Sequence, residues 1–177
     1  GLSEAPLMLV NDDDDTASYT LTPSSGLVTT EAGGTATFEV AITSEPVASV
    51  IFSLSSSDAS EGVVSPTTLT FNRFNWPYPQ TVTLTGVNDA LADGDIAYRA
   101  DLFVISADSN YAALAPGSVL LTNTDDESSG VTVSPTSGLV TTEAGGTATF
   151  TVVLNAQPTA SVSIGLSSDT LSEGTVA

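Results

Sequence analysis

Residues 25–38, SGLVTTEAGGTATF, return unchanged as residues 137–150, 112 positions further along the chain. The same register holds beyond this stretch, since Ser60-Glu61-Gly62 returns as Ser172-Glu173-Gly174. A long identical stretch at this distance indicates a tandem array of similar units. The period is too long for a solenoid repeat of roughly 20–50 residues. The sequence therefore predicts small, self-contained domains in series.

The register divides the chain into three parts. Residues 1–15 are predicted to be the last strand and acidic linker of a preceding repeat, because Leu9 and Asn11 match Leu121 and Asn123. Residues 16–127 form a complete repeat, and residues 128–177 form the N-terminal part of the next. The expected partners are therefore neighbouring repeats or copies of the same protein in a head-to-tail array or fibre. A longer polypeptide and neighbouring copies are alternative ways to complete the partial units.

Composition and charge narrow the class of protein. The chain has no cysteine or histidine, 21 acidic residues and a formal net charge of −19, with Arg73 and Arg99 as its cations. This charge argues against nucleic acid and anionic membranes as partners. There is no apolar run near 20 residues, so no membrane span is expected. Scarce cations with abundant Thr, Ser, Val and Ala favour a secreted β-protein at a cell surface.

Short runs rich in Val, Thr, Ile and Phe alternate with polar residues and are broken by Gly, Pro, Asn and Asp, which is typical of antiparallel strands. Such runs predict seven strands, near residues 27–30, 35–43, 48–55, 67–71, 80–87, 96–107 and 118–122. Gly33 and Gly34 suit a tight turn at 31–35, so the flanking strands are expected to form a hairpin. The predicted fold is all-β, with tandem immunoglobulin-like antiparallel β-sandwich domains of about seven strands per 112-residue repeat.

Acidic residues collect where predicted strands end. In a seven-strand sandwich, the first turn, the loop between the last two long strands and the exit after the final strand can share one pole. The candidate metal ligands there are Glu31, Asn88, Asp89, Asp93, Asp95, Asp125, Asp126 and Glu127. Partial sites are predicted at Asp12, Asp13, Asp14, Asp15 and Glu143.

Clustered carboxylates repel each other by roughly 3 kcal/mol per pair at about 5 Å and an effective dielectric of 20. Such a cluster must be protonated, hydrated or bound to metal. Oxygen ligands without histidine or cysteine suit Ca²⁺, which takes six to eight oxygens in a flexible geometry. The alternative is that the acidic runs are solvated linkers between domains.

The order E-x-x-G-T-x-x-F, then NWPYPQTVTLTGVNDALADGD, then TNTDDE, resembles the Calx-beta domain of sodium–calcium exchangers and of tandem arrays in large bacterial surface proteins. The resemblance implies an immunoglobulin-like sandwich with a calcium cluster at the end facing the next domain. It matches Glu31 to the glutamate after the first strand and 125–127 to the closing acidic triplet. Asn88 and Asp89 match an inner acidic triplet, and Asp93 and Asp95 match the acidic run after it. Ala90 stands in place of the third acid of the inner triplet and lowers the charge.

Other residues have simpler interpretations. Trp76 and Tyr78 could form a stacking platform for sugars, but a plug over the end of the core is favoured. Arg73 and Arg99 could each pair with a carboxylate, and such an ion pair would have a structural role only. General acid–base and nucleophilic catalysis commonly need histidine, cysteine or lysine, none of which is present, so the protein is not expected to be an enzyme.

These observations predict a structural extracellular repeat, used as a calcium-rigidified spacer or shaft of a cell-surface filament, sheath or adhesin. Through the resemblance, a bacterial source is expected. One alternative is a recognition module that binds carbohydrate or protein, with incidental calcium. A second alternative is a calcium sensor domain of a transporter, against which the near-identity of the tandem units argues.

Overall fold

The computed structural model describes residues 8–12 and 14–176, and the regular secondary structure of this part of the chain is almost entirely β. Two large sheets are formed by nine strands and a third, small sheet follows them. The strands of the large sheets are β1 Tyr19–Thr22, β2 Leu27–Thr30, β3 Thr35–Ile42, β4 Val50–Ser56, β5 Gly62–Ser65, β6 Thr68–Phe71, β7 Gln80–Gly86, β8 Ile96–Ser106 and β9 Gly117–Thr124. One short helix, α1, spans Ser109–Ala112.

The two large sheets pack face to face as an immunoglobulin-like sandwich, which confirms the predicted fold class. One sheet has the order β1-β3-β7-β5 and the other the order β2-β9-β8-β4-β6. Neighbouring strands are antiparallel with one exception. β2 runs parallel to β9, with Leu27 opposite Leu121 and Thr30 opposite Thr124.

The core follows from the alternation of side chains along each strand. In β3, Phe38, Val40 and Ile42 are buried, while the alternating neighbours Thr37 and Glu39 are exposed, as the period of two predicts. The core residues all lie between 38 and 121. Full burial of one such apolar side chain contributes about 1.5–3 kcal/mol. The sandwich of residues 16–127 therefore encloses its own core.

All seven predicted strands are present, with ends within two residues of the predicted ones. The structure adds β1 and β5, two four-residue strands that the sequence pattern does not predict. Both lie at the edges of the same sheet. Their short length leaves too few alternating positions for a clear sequence signal.

The predicted hairpin at 31–35 is wrong, although the tight turn itself is present. β2 belongs to the five-stranded sheet and β3 to the four-stranded sheet, so the turn carries the chain from one sheet to the other. Gly33 has a φ of +83°, which glycine adopts without steric cost. A glycine-rich turn between two alternating runs is compatible with a hairpin within one sheet and with a crossing from one sheet to the other. The long-range pairing of β2 with β9 decides between them.

The strands end at two poles. The acidic pole consists of the turn 31–34, the loops 57–61 and 87–95, and the exit segment 125–127. The opposite pole consists of the loops 43–49 and 72–79 together with α1. Tyr111 of α1 pins the first of these loops, because its buried hydroxyl donates to the Ser44 carbonyl oxygen at 2.7 Å.

The segment after residue 127 begins to repeat the same pattern. β10 (Val131–Ser134) pairs with β11 (Thr151–Leu154), and Val131 lies opposite Leu154 as Tyr19 lies opposite Ile42. Most large apolar side chains of this segment are exposed. The division at 1–15, 16–127 and 128–177 stays a prediction. Within the described residues, no helix is long and apolar enough to cross a membrane.

Candidate metal centre at the acidic pole

The first acidic group joins the ends of two strands that are far apart in sequence. Glu31 follows β2, and Asp126 and Glu127 follow β9. Because β2 and β9 are parallel neighbours, both strands end at the acidic pole, and the Glu31 amide donates to the Thr124 carbonyl oxygen at 3.1 Å. One carboxylate oxygen from each of the three acids lies within 4.8 Å of the others.

Glu31 is the most informative residue of this group. Its side chain is only 3% exposed, and its Oε2 atom has no hydrogen-bond partner among the described residues. The same is true of Glu127 Oε2. An unpaired buried carboxylate oxygen is strongly unfavourable. These two oxygens can be satisfied by a shared proton or by a cation between them.

The pKa values reflect this crowding. Burial raises the pKa of Glu31 to about 7, and the contact with Glu127 and the charges of Glu127, Asp89 and Asp125 add to the effect. For Glu127, the hydrogen-bonding contact with Glu31 lowers the pKa. Burial and the charges of Asp126 and Asp125 outweigh that contact, so the pKa of Glu127 is raised. Both shifts show that a second negative charge is unfavourable here.

A second acidic group lies at the same pole. Carboxylate oxygens of Glu61, Asp89 and Asp93 lie within 4.8 Å of one another. Burial raises the pKa of Glu61, against the effect of a hydrogen bond from Asn123. Sequence reasoning misses Glu61 because it has no acidic neighbour within two positions. Its return as Glu173, inside the repeated 172–174 segment, is the signal that could have found it.

A buried polar network connects this second group to the core. The Asn123 amide donates to Glu61 Oε2 at 3.3 Å and to the Val87 carbonyl oxygen at 3.2 Å. Its oxygen accepts from Thr29 Oγ1 at 3.0 Å, and that hydroxyl lies 3.0 Å from the Tyr98 hydroxyl. These hydrogen bonds fix the direction of Glu61 before any ligand is bound.

Asp95 and Asp125 lie at the acidic pole but outside both groups of three. Asp95 Oδ1 accepts from the Asp125 amide at 3.2 Å, and Asp125 Oδ2 accepts from the Gly94 amide at 2.7 Å. Backbone hydrogen bonds from Glu127 and Gly94 lower the pKa of Asp125, which favours its ionised form. The two aspartates fasten the exit segment 125–127 to the loop 87–95 and hold the acidic groups together.

The remaining predicted ligands are not brought into either group. Asn88 is exposed, and its amide donates to the Asp89 carbonyl oxygen at 2.9 Å. Asp12, Asp14 and Asp15 are exposed and precede β1, at the opposite pole, while Asp13 lies outside the described residues. Glu143 is also exposed, and no acidic group of three forms around it in the described part of the chain.

Neither cation neutralises the acidic pole. Arg99 Nε pairs with Asp101 Oδ1 at 3.2 Å, which is the salt bridge found among residues 8–12 and 14–176. Arg73 lies at the opposite pole over the Phe74 ring, 4.4 Å from its centroid, rather than beside a carboxylate. The acidic pole thus offers hard oxygen ligands and negative charge, which suit a hard cation such as Ca²⁺.

The loop 72–79, which contains Trp76, covers the end of the core, as its sequence favours. Trp76 is partly buried and packs against the core, which confirms its interpretation as a plug. Tyr78 is exposed, and among the described residues its ring does not stack on that of Trp76. The two side chains therefore do not form a shared stacking platform.

Comparisons with known proteins support no assignment beyond the fold. No protein-family model matches the chain, and no curated protein matches it. Among solved structures, the MSP-domain protein SSP-19 of Caenorhabditis elegans is 18% identical with a TM-score of 0.40, over 59% of this chain and 96% of that one. The E. coli chaperone DraB is 10% identical with a TM-score of 0.46, over 63% of this chain and 57% of that one. The CsuC–CsuE chaperone–tip adhesion subunit complex of Acinetobacter baumannii is 10% identical with a TM-score of 0.45, over 79% of this chain and 88% of that one. No functional conclusion rests on likenesses at this level.

Proposed function

We propose that residues 16–127 are a calcium-binding structural repeat whose bound ions stiffen the connection to the following repeat. The observation that carries this proposal is Glu31, a buried carboxylate whose Oε2 has no partner within the described chain and which faces two further acids. A solvated acidic linker would leave its carboxylates in water. A cation between Glu31, Asp126 and Glu127 would satisfy the unpaired oxygens and cancel their repulsion.

The stiffening follows from the position of these acids in the chain. Residues 125–127 are both candidate ligands and the segment that leads to the next repeat. The loop 87–95 carries Asp89 and Asp93 of the second group and also contacts the next repeat, since the Gln157 amide donates to the Ala90 carbonyl oxygen at 2.6 Å. Cations held at both groups would tie the loop and the exit segment together. Without them, like charges would drive these segments apart.

The array would then serve as a spacer or shaft of an extracellular filament, sheath or adhesin. The resemblance to the Calx-beta domain supports this interpretation, as do the net charge of −19 and the recurrence of Glu31 as Glu143. Membership of that family, a bacterial source and a cell-surface location are part of the proposal. The alternative of a recognition module is less well supported, because Trp76 packs against the core instead of standing free.

Calcium titration followed by thermal melting tests the proposal. A ligand at about 100 times its Kd stabilises the folded state by about 2.7 kcal/mol, so about 10 mM calcium should do this for a site with a Kd of about 10⁻⁴ M. For a domain of this size, that corresponds to a rise in Tm of roughly 10 °C.

The matched variants are Asp126→Asn, which removes a charge from the first acidic group, and Asp169→Asn, which removes one at an exposed position of the next repeat. We expect Asp126→Asn to lose most of the calcium-dependent rise and Asp169→Asn to keep it. Sodium chloride at equal ionic strength controls for screening. No rise in Tm at millimolar calcium would refute the proposal.

A further inference from the structure

The contact between the complete repeat and the segment that follows it is specific in position. Leu91 in the β7–β8 loop forms a parallel bridge with Gln157, next to the hydrogen bond to Ala90. A cavity of about 410 Å³ lies beside this contact, with Ala92 on one side and Ala160 among the residues of the next repeat on the other. We call this contact between 90–92 and 157–162 the joint.

The repeat register shows which surface of residues 16–127 corresponds to the second half of the joint. A shift of 112 positions places Pro158 on Pro46 and Ala160 on Ala48. In the complete repeat, both of these residues line a cavity of about 310 Å³ at the opposite pole, together with Arg73 and Phe74. The opposite pole therefore presents the surface that, one repeat later, receives a β7–β8 loop.

This surface combines exposed apolar side chains with one cation, Arg73, and lies beside one exposed acid, Glu45. Val47 is 90% exposed and Phe74 is 75% exposed. Arg73 stacks on Phe74 and makes no ion pair with any residue of the described chain. In a chain with two cations and 21 acids, an unpaired arginine on an apolar surface is complementary to an acidic partner that also brings apolar side chains.

We infer that the opposite pole is a docking face for the β7–β8 loop of another copy of the same repeat, and that Arg73 pairs with carboxylates of that copy. The loop suits the face, because it combines the apolar run Ala90-Leu91-Ala92 with Asp89, Asp93 and Asp95. The backbone contact also carries over. Glu45 is the residue that corresponds to Gln157 after the shift of 112 positions. The joint is formed by the backbone amide of Gln157, which donates to the Ala90 carbonyl oxygen, and the backbone amide of Glu45 can donate in the same way.

This inference names the partner surface of the proposed array and rests on that array, but not on calcium. It is tested in the full chain with residues 16–127 duplicated in register, which creates a joint between two complete repeats. The chain has no native cysteine, so paired cysteines report on one contact only. One pair is Leu91→Cys in the first copy with Glu45→Cys in the second. The reference pair is Leu91→Cys with Gln157→Cys in the original chain, at the two bridged positions.

Under mild oxidation we expect both pairs to form disulfides, measured as the rate of loss of free thiols. Arg73→Ala in the second copy, whose opposite pole meets the first copy, should slow the new cross-link by about two- to five-fold. The same substitution in the first copy is the matched control and should leave the rate unchanged. Equal rates in the two variants would overturn the pairing of Arg73.

Failure of the new pair to cross-link while the reference pair does so would overturn the docking face. Failure of both pairs would overturn the joint itself, and the docking face with it. Oxidation is carried out in EDTA and in calcium. Cross-linking in EDTA together with an absent calcium-dependent rise in Tm would leave this inference standing and refute the proposed calcium binding.

Discussion

Replacing Glu31 with Gln should stabilise the protein in calcium-free buffer and destabilise it in buffer that contains calcium. In the calcium-free protein, Glu31 is a buried carboxylate among other acids, and burial is the main cause of its pKa of about 7 against an ordinary value of 4.5. Glutamine has nearly the same shape, carries no charge and can donate to the unpaired Glu127 Oε2. We therefore expect Glu31→Gln to be more stable than the native chain in EDTA at about pH 8.

The magnitude follows from the pKa. A raised carboxyl pKa means that the folded state binds the proton more tightly than the unfolded chain does. The stabilisation from this proton is present below pH 4.5 and is lost as the pH rises through about 7. A shift from 4.5 to about 7, at about 1.4 kcal/mol per unit, corresponds to roughly 3 kcal/mol between the two ends of this window. For a domain of this size, that is roughly 10 °C in Tm.

The assay is thermal melting from about pH 5 to about pH 8, first in EDTA and then in about 10 mM calcium. In EDTA the native chain should lose stability across this range, while Glu31→Gln should depend on pH much less. In calcium the native chain should become the more stable of the two, because the variant replaces a charged carboxylate ligand with a neutral amide. Glu143→Gln is the matched control, since it changes the same repeat position on an exposed turn and should behave like the native chain.

Two results would refute the reasoning. If Glu31→Gln is less stable than the native chain in EDTA at the alkaline end of the range, then the carboxylate makes a favourable contact in the calcium-free state and is not in excess there. If Glu143→Gln shifts the melting curves as much as Glu31→Gln does, then the effect comes from net charge and not from the buried group.

Two further substitutions test the packing and hydrogen bonding of the sandwich. Tyr111→Phe removes the hydroxyl that bonds Ser44 and should lower the free energy of unfolding in urea by about 1–3 kcal/mol, whereas Tyr78→Phe at an exposed position should change it by less than about 0.5 kcal/mol. Gly62→Ala should lower it by about 1–3 kcal/mol, because the new methyl group would meet the buried Tyr98 ring, whereas Gly165→Ala enters open space and should leave it nearly unchanged. Equal effects within either pair would contradict the described packing.

The strands are predictable because their signal is local. Alternation in TATFEVAI is enough to place Phe38, Val40 and Ile42 on one buried face, and the structure agrees. The sheet to which each strand belongs is not predictable in the same way. It depends on partners up to 94 positions away, as for Leu27 and Leu121, and nothing in the local pattern of the 31–34 turn specifies those partners.

The candidate site shows the same limit. Asp89, Asp93 and Asp126 are predicted from acidic runs next to strand ends, and these three do meet other acids at one pole. Glu61 stands alone in the sequence and reaches its group through the fold. Asp125 looks equivalent to Asp126 in the sequence, but its carboxylate accepts two backbone amides instead of joining a group. Which oxygens are already occupied by backbone donors is a property of the folded loops.

The parallel pairing of β2 with β9 has a mechanical consequence. Tension along an array of these repeats would act first on β1, which pairs with β3, and would then pull β2 toward the opposite pole and β9 toward the acidic pole. Because the two strands are parallel neighbours, their four residue pairs would be loaded in shear and at the same time, instead of being peeled apart one by one. Resistance to such a load depends on the rate of unfolding and not on the equilibrium stability alone. In such an array, the β2–β9 pair would therefore resist extension as a single unit.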